Sequence, residues 1–241
     1  MNTSINEHLM GQLRLHGMLA SWQSLLETRT HQNLSLVEGL QHLLEAEHLE
    51  RGHRRVQRLR NAAGFRYQAS MAELTYSPSR GLDKNTIALL ADGRYIDQGQ
   101  AILISGPTGC GKSFLASALG HQACQLGYKV SYFNMQKLIQ QLVLSRADGS
   151  ILKLFSKIAK SQLLILDDFG LKPLDNQQRL DLLDIVEDRH QKMATMIVSQ
   201  LPIANWYDVI GESTVADAIL DRLIHTAHRL ELRGESMRKK Q

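Results

Sequence analysis

The chain has 241 residues, 43% of them hydrophobic and 22% charged, an ordinary globular balance at a length that suits one large domain or a small one beside a mid-sized one. That excludes a largely disordered chain. No apolar run approaches the ~18 residues of a membrane-spanning helix, and the N-terminal MNTSINEHLMGQLRLHGML lacks the basic-then-apolar order of a signal peptide. Two cysteines, Cys110 and Cys124, support neither a disulfide framework nor a thiolate zinc site, so a reducing cytoplasm is the expected location. The net charge of +4 is unevenly spread: residues 51–66, RGHRRVQRLRNAAGFR, hold six arginines and no acid, and the final RKKQ adds three bases. Clustered bases point to a polyanionic partner, with a solvated helix face as the competing reading.

The first 68 residues read as purely helical. Ser4 with Glu7, and Ser35 with Glu38, have capping-box spacing. Ile5, Leu9, Leu15, Leu19, Trp22 and Leu26 recur at helical intervals after the first box, and Leu36, Leu40, Leu43 and Leu44 after the second. A helical hairpin is expected, at about 5–28 and 36–62, with the polar THQNL as its turn. Gly64, the 70–81 stretch and Pro78 carry turn signals, which puts a domain boundary near residue 68. Beyond it, short β-rich runs at 101–105, 129–133, 163–167 and 195–199 alternate with helical patterns at about 112–126, 135–145, 151–160 and 176–191. This order predicts an α/β domain over 69–241, its parallel sheet buried between helices.

GPTGCGKS, 106–113, fits the P-loop pattern and stands between a strand and a helix, as that motif requires. Gly106, Gly109 and Gly111 let the backbone curl so that N–H groups meet phosphate oxygens, and the helix N-terminus adds positive charge. Gly106, Pro107, Thr108, Gly109, Cys110, Gly111, Lys112, Ser113 and Phe114 are the expected nucleotide-binding residues. Lys112 reaches the β- and γ-phosphates of ATP and Ser113 ligates Mg²⁺, while Cys110 reads as a small filler of the loop.

LLILDDFG, 163–170, ends a buried strand in two acids. Asp167 has the position of a Walker B carboxylate that supports Mg²⁺, and Asp168 that of the acid orienting the attacking water. In TMIVSQLP, 195–202, the strand ends in Ser199 and Gln200. Gln200, with Ser199 as the alternative, matches the sensor 1 position at which AAA+ ATPases contact the γ-phosphate or the water. Thr214 and Asp217 have capping-box spacing for a helix that leads to Arg222. In AAA+ proteins an arginine so placed is a finger that completes a neighbouring subunit's site; an intramolecular pair with an acid is the alternative. Lys153, Lys157 and Lys160 share one helical face and, with Arg54, Arg55, Arg58 and Arg60, are the candidate DNA contacts. Neither cluster carries the aromatic residues that stack on unpaired bases, so phosphate contacts on duplex DNA are expected.

Together GPTGCGKS, LLILDDFG, TMIVSQLP, DRLIHTAHRLELRGESMR and the basic helical N-terminus resemble the IstB-type transposition helper ATPases of insertion sequences. That family stands beside the DnaC helicase loaders and DnaA initiators in the AAA+ class. The resemblance implies a P-loop AAA+ core behind a small all-α N-terminal domain, with no C-terminal helical lid, so that Arg238 is a candidate partial substitute for sensor 2. It implies ATP- and DNA-promoted homo-oligomers on double-stranded DNA of low sequence specificity, recruitment of a cognate transposase, and no membrane. An extra DNA-facing helix before the Walker B strand corresponds to 151–160. A DnaC-like helicase loader and an ATP-gated DNA scaffold that does not need hydrolysis are the alternatives.

Overall fold

A computed structural model describes residues 2–237, and Arg238 lies outside them. The chain separates into two compact units, Met1–Arg58 and Leu59–Gln241.

In the first unit the expected long helix is two helices, α1 (Asn2–Gln12) and α2 (His16–Glu27), followed by a short 3₁₀ turn and α3 (Leu36–Ala63). The break is a Schellman motif. Leu15 N–H donates to Met10 O at 2.8 Å and Arg14 N–H to Gly11 O at 3.0 Å, with Arg14 left-handed at φ 57°. Apolar periodicity runs through this break, so spacing alone conceals it. Ser4 lies inside α1 and starts no helix. The Ser35–Glu38 box does form: Ser35 N–H donates to Glu38 Oε2 at 2.8 Å and Glu38 N–H to Ser35 Oγ at 3.3 Å.

The start of α2 lacks a side-chain cap of its own. Glu47, buried on α3, accepts instead from Gly17 N–H at 2.8 Å and Met18 N–H at 3.2 Å. Burial disfavours the Glu47 carboxylate, but Arg51 and these two N–H groups outweigh it and lower its pKa. Gly17 is required there, because a Cβ would stand 2.4 Å from Ala46 O.

The second unit is built on five parallel strands, β1 (Ala101–Ser105), β2 (Val130–Asn134), β3 (Leu163–Phe169), β4 (Ala194–Ser199) and β5 (His228–Glu231), in the order β2-β3-β4-β1-β5. The first four lie within two residues of their expected positions. The last was missed: three of its four residues are charged or histidine, and as a short edge strand it shows no apolar run.

Each strand sends alternate residues to opposite faces. Two short helices, α4 (Lys84–Ala91) and α5 (Arg94–Asp97), precede β1. Ile102, Ile104, Ile165, Met196 and Val198 join α6 (Lys112–Gln125) in one cluster. Leu103, Leu164, Leu166 and Ile197 pack on the other face under α7 (Met135–Ala147), α8 (Ile151–Ala159), α9 (Asn176–Arg189) and α11 (Ser213–Ile224). Between α9 and α11, β4 and the short helix α10 (Trp206–Ile210) intervene, and Trp206 is fully buried 4.9 Å from the Phe169 ring. Helix α11 is capped by Glu212, which accepts from Val215 N–H at 2.7 Å, and not by the Thr214–Asp217 spacing. Leu59, Ala63, Phe65 and Tyr67 pack into the first of the two clusters, so the residues before position 68 already contribute to the sheet's core.

Arg189 closes α9 inside this core at 1% exposure. Its guanidinium donates to Ile158 O at 2.8 Å, Ser161 O at 2.7 Å and Thr195 Oγ1 at 3.1 Å, tying the end of α8 to the start of β4. Burial lowers its pKa to about 10, still charged at neutral pH. Replacing Arg189 with leucine orphans these acceptors and is expected to lower the unfolding free energy by about 3 kcal/mol, read from urea denaturation. A loss under about 1 kcal/mol would remove Arg189 from this structural role.

Candidate nucleotide-binding site

The P-loop joins the carboxyl end of β1 to the first turn of α6. Its glycines are needed for different reasons. Gly106 has φ 142°, and a Cβ there would stand 2.1 Å from Leu232 O; Gly109 has φ 85°, and its Cβ would meet Ser236 Oγ at 2.2 Å. The segment after β5 therefore packs directly on the loop. Leu232 N–H donates to Ser105 O at 2.8 Å and Met237 N–H to Gly109 O at 3.0 Å.

Lys112 is 7% exposed and its Nζ donates to Pro107 O at 2.7 Å, across the mouth of the loop. Cys110 is buried in the core cluster, and its carbonyl accepts from Arg80 Nη2 at 2.9 Å. Thr108 Oγ1 donates to Gln200 Oε1 at 2.6 Å, which holds Gln200 at the loop. Ser199 points away: it is fully buried, and its Oγ donates to Phe169 O at 2.8 Å and accepts from Leu201 N–H at 3.1 Å. Phe114 and Tyr67 rings stand 6.2 Å apart.

Opposite the loop, β3 carries the acid pair on a bulge. Leu166 pairs with Ile197 and Phe169 with Ser199, so β3 has one residue more than β4 at Asp167–Asp168. Asp168 is left-handed at φ 58°, a conformation that Asp tolerates better than most residues. Asp167 is fully buried. It accepts from Ser113 Oγ at 3.0 Å, from its neighbour's backbone, Asp168 N–H, at 2.8 Å and from the Tyr132 hydroxyl. Asp168 accepts from Asn134 Nδ2 at 2.7 Å and from Arg66 Nη1 at 2.8 Å, and the same Arg66 nitrogen lies 3.3 Å from Asp167 Oδ2.

Burial, and then the Asp167 carboxylate, raise the Tyr132 pKa, so its hydroxyl stays a donor. Burial opposes the charge on Arg66, but Tyr67 and the carboxylates of Asp168 and Asp167 outweigh it and keep the guanidinium firmly protonated.

Between the loop and the acids opens a cleft of 580 Å³. Lys112, Ser113, Asp168 and Gln200 line it, and Tyr67, Leu74 and Leu82 supply apolar wall. Ser113 and Asp167 offer one hydroxyl and one carboxylate oxygen. Two hard oxygen donors suit Mg²⁺, which keeps most of its shell for water and phosphate. Among the described residues no group of three or more His, Cys, Asp or Glu is placed to hold a metal ion.

Arg222 is not in the lining of this cleft. Its Nη1 donates to Ala218 O at 2.8 Å, and its Nη2 lies 3.4 Å from Glu187 Oε1. Lys153 and Lys157 are exposed on α8 and Lys160 is exposed at its C-cap, while Ile158 and Leu154 pack inward. Lys157 Nζ stands 5.9 Å above the Phe133 ring. Of the arginines, Arg54 faces Glu50 at 3.2 Å and Glu47 at 3.7 Å, and Arg60 donates to Gln125 Oε1 at 2.6 Å. Arg55 and Arg58 are exposed. Sequence reasoning missed Arg66, Tyr132, Asn134 and Arg80. Arg66 was visible only as the last base of the arginine run.

This fold, with its glycine-rich loop between β1 and α6 and its acid pair at the end of β3, defines an α/β protein of the P-loop class. Residues 8–241 match the IstB-like ATP binding proteins, and the chain belongs to that family. It is 43% identical over 232 residues to the insertion sequence ATP-binding protein y4pL of Sinorhizobium fredii, covering 96% of this chain and 95% of the relative. It is 30% identical over 227 residues to the ATP-binding protein of insertion sequence IS5376 of Geobacillus stearothermophilus, covering 94% and 90%. Among solved structures, the DnaC helicase loader superimposes with a TM-score of 0.60 at 20% identity, covering 69% of this chain and 98% of DnaC. The AMPPCP-bound DnaA of Aquifex aeolicus does so with a TM-score of 0.60 at 17% identity, covering 72% and 53%. At these identities the likeness is one of fold.

His121 supports the cleft wall from behind, its Nε2–H donating to Tyr67 O at 3.1 Å and its ring 4.2 Å from Phe65. Burial, against the Tyr67 hydrogen bond and with help from Arg60, lowers its pKa below the ordinary 6.5. The folded chain thus resists a proton that the unfolded chain accepts, and stability present above pH 6.5 is lost as the pH falls. Thermal unfolding between pH 7.5 and 5.5 is expected to show this fall, and a His121→Gln variant to show a shallower one. Equal slopes would mean that His121 titrates alike in both states.

Proposed function

We propose that this protein is a Mg²⁺-dependent ATPase that assembles on duplex DNA and helps a transposase use its target. The observation that carries the ATPase half is the Ser113 hydroxyl 3.0 Å from the buried Asp167 carboxylate, with Asp168 next in the chain facing the same cleft. The family and its insertion-sequence relatives support the transposition half.

In this reading Lys112 exchanges Pro107 O for the β- and γ-phosphate oxygens. The P-loop N–H groups and the start of α6 hold the remaining phosphate charge. Ser113 and Asp167 would hold a Mg²⁺ ion, which would supply positive charge to the phosphates. Asp168 orients the attacking water and accepts its proton, and Gln200, steadied by Thr108, contacts the γ-phosphate side. Arg222, absent from its own cleft, completes the site of a neighbouring copy by leaving its loose Glu187 contact.

The exposed Lys153, Lys157 and Lys160, with Arg54, Arg55, Arg58 and Arg60, bind DNA phosphates. A cytoplasmic location fits such a partner; among the described residues no helix is long and apolar enough to cross a membrane.

Lys112→Ala is expected to weaken ATP binding at least about tenfold in a nucleotide titration, and wild-type affinity would refute the P-loop reading. Asp168→Asn is expected to bind ATP without hydrolysing it. Arg222→Ala is expected to bind ATP and not hydrolyse it in assemblies, with partial recovery when mixed with Lys112→Ala subunits, because each variant spoils a different half of an interface. No recovery in mixed oligomers would return Arg222 to an intramolecular role.

For DNA, alanine at Lys153, Lys157 and Lys160 is expected to reduce the log–log salt slope of duplex binding by roughly 3 per subunit and to weaken all sequences alike. An unchanged slope would make α8 an ordinary solvated face. Capture of the transposase rather than the replicative helicase from a defined mixture separates the transposition reading from that of a helicase loader.

A further inference from the structure

Two carboxylates on consecutive residues, one fully buried, repel each other unless a cation stands between them. Here one does. The Arg66 guanidinium reaches both acids through a single nitrogen, at 2.8 Å from Asp168 and 3.3 Å from Asp167. Its hold on the chain is light. Arg66 lies two residues beyond Gly64, which is left-handed at φ 76°, and its side chain remains 37% exposed.

Arg66 also stands in the wall between two cavities. One is the nucleotide cleft; the other, of 600 Å³, lies against β2 and carries Lys137 and Lys157. The guanidinium can therefore leave the acids for open space without unpacking any core residue.

We propose that Arg66 is a tethered counter-cation of the acid pair that competes with Mg²⁺ for Asp167, and so sets the Mg²⁺ concentration at which the chain takes up ATP. This rests on the P-loop reading above. Without a metal, Arg66 neutralises Asp167 and Asp168 and keeps β3 stable. A divalent ion at Ser113 and Asp167 then has to displace the Arg66 contact, because both cations draw on the same carboxylate. A guanidinium makes up part of the charge that the site requires, and a second cation beside it is disfavoured until Arg66 moves.

The test is a Mg²⁺ titration of binding by a fluorescent, non-hydrolysable ATP analogue, using the full chain, with wild type, Arg66→Ala and Arg66→Lys compared. The Mg²⁺ midpoint is expected to fall about tenfold in Arg66→Ala and to lie between the two in Arg66→Lys. A second readout needs no nucleotide. Arg66→Ala without metal is expected to melt below wild type, and to gain more in melting temperature when Mg²⁺ alone is added. A midpoint that is unchanged or raised would overturn the competition and make Arg66 a phosphate ligand or a support of the metal site. If wild type itself shows no Mg²⁺-dependent binding of the analogue, the failure belongs to the nucleotide site and not to Arg66. Should Arg66→Ala fail to fold, the Arg66→Lys midpoint decides: a fall supports the competition, and no change refutes it.

Discussion

Two adjacent acids stand at the end of a buried strand, and much of the second unit is arranged to turn hydrogen-bond donors toward them. Asp167 lies at the carboxyl end of β3, between β2 and β4, without solvent contact. It persists there because the P-loop serine, a tyrosine of β2, the next backbone N–H and an arginine all turn donors toward it. The bulge separates the two acids. One extra residue in β3 lets Asp167 face Ser113 while Asp168 turns to Asn134 and the cleft. In a regular ladder consecutive side chains would point to opposite faces of the sheet, and the pair would not serve one site.

The parallel sheet supplies the second constraint. With every strand running the same way, the ends of β1, β3 and β4 bring the P-loop, the acid pair and Gln200 to one edge. This is the edge at which open α/β sheets bind their ligands. The shape of the loop also depends on residues far along the chain. Gly106 and Gly109 admit no side chain because the Leu232 carbonyl and the Ser236 side chain, both beyond β5, occupy that space. The RGESM stretch beyond β5 is therefore part of the phosphate loop's scaffold.

What could be read from the sequence divides along physical lines. Four strands buried on both faces announce themselves as apolar runs, and the P-loop is a local pattern whose chemistry lies within eight residues. Asp167 and Asp168 were legible because an acid pair directly after an apolar strand is anomalous. By contrast, β5 is short, has one apolar residue among four, and lies at an edge, so it has no hydrophobic signature. The break between α1 and α2 turns on one left-handed arginine, a residue with no preference for that conformation. Arg66, Tyr132 and Asn134 lie 101, 35 and 34 residues from the acids they contact. No local spacing encodes such pairings. In the sequence Arg66 passes for one more base of a polyanion-binding run, and Asn134 for a helix cap, a role it also fills.

The most direct test of this account is a structure of the chain with Mg²⁺ and a non-hydrolysable ATP analogue. The account predicts the analogue in the cleft of β1, β3 and β4, with Lys112 Nζ moved from Pro107 O to the β- and γ-phosphate oxygens and Ser113 and Asp167 at the metal. A nucleotide bound elsewhere, with Lys112 still donating to Pro107 and Ser113 still paired directly with Asp167, would contradict it.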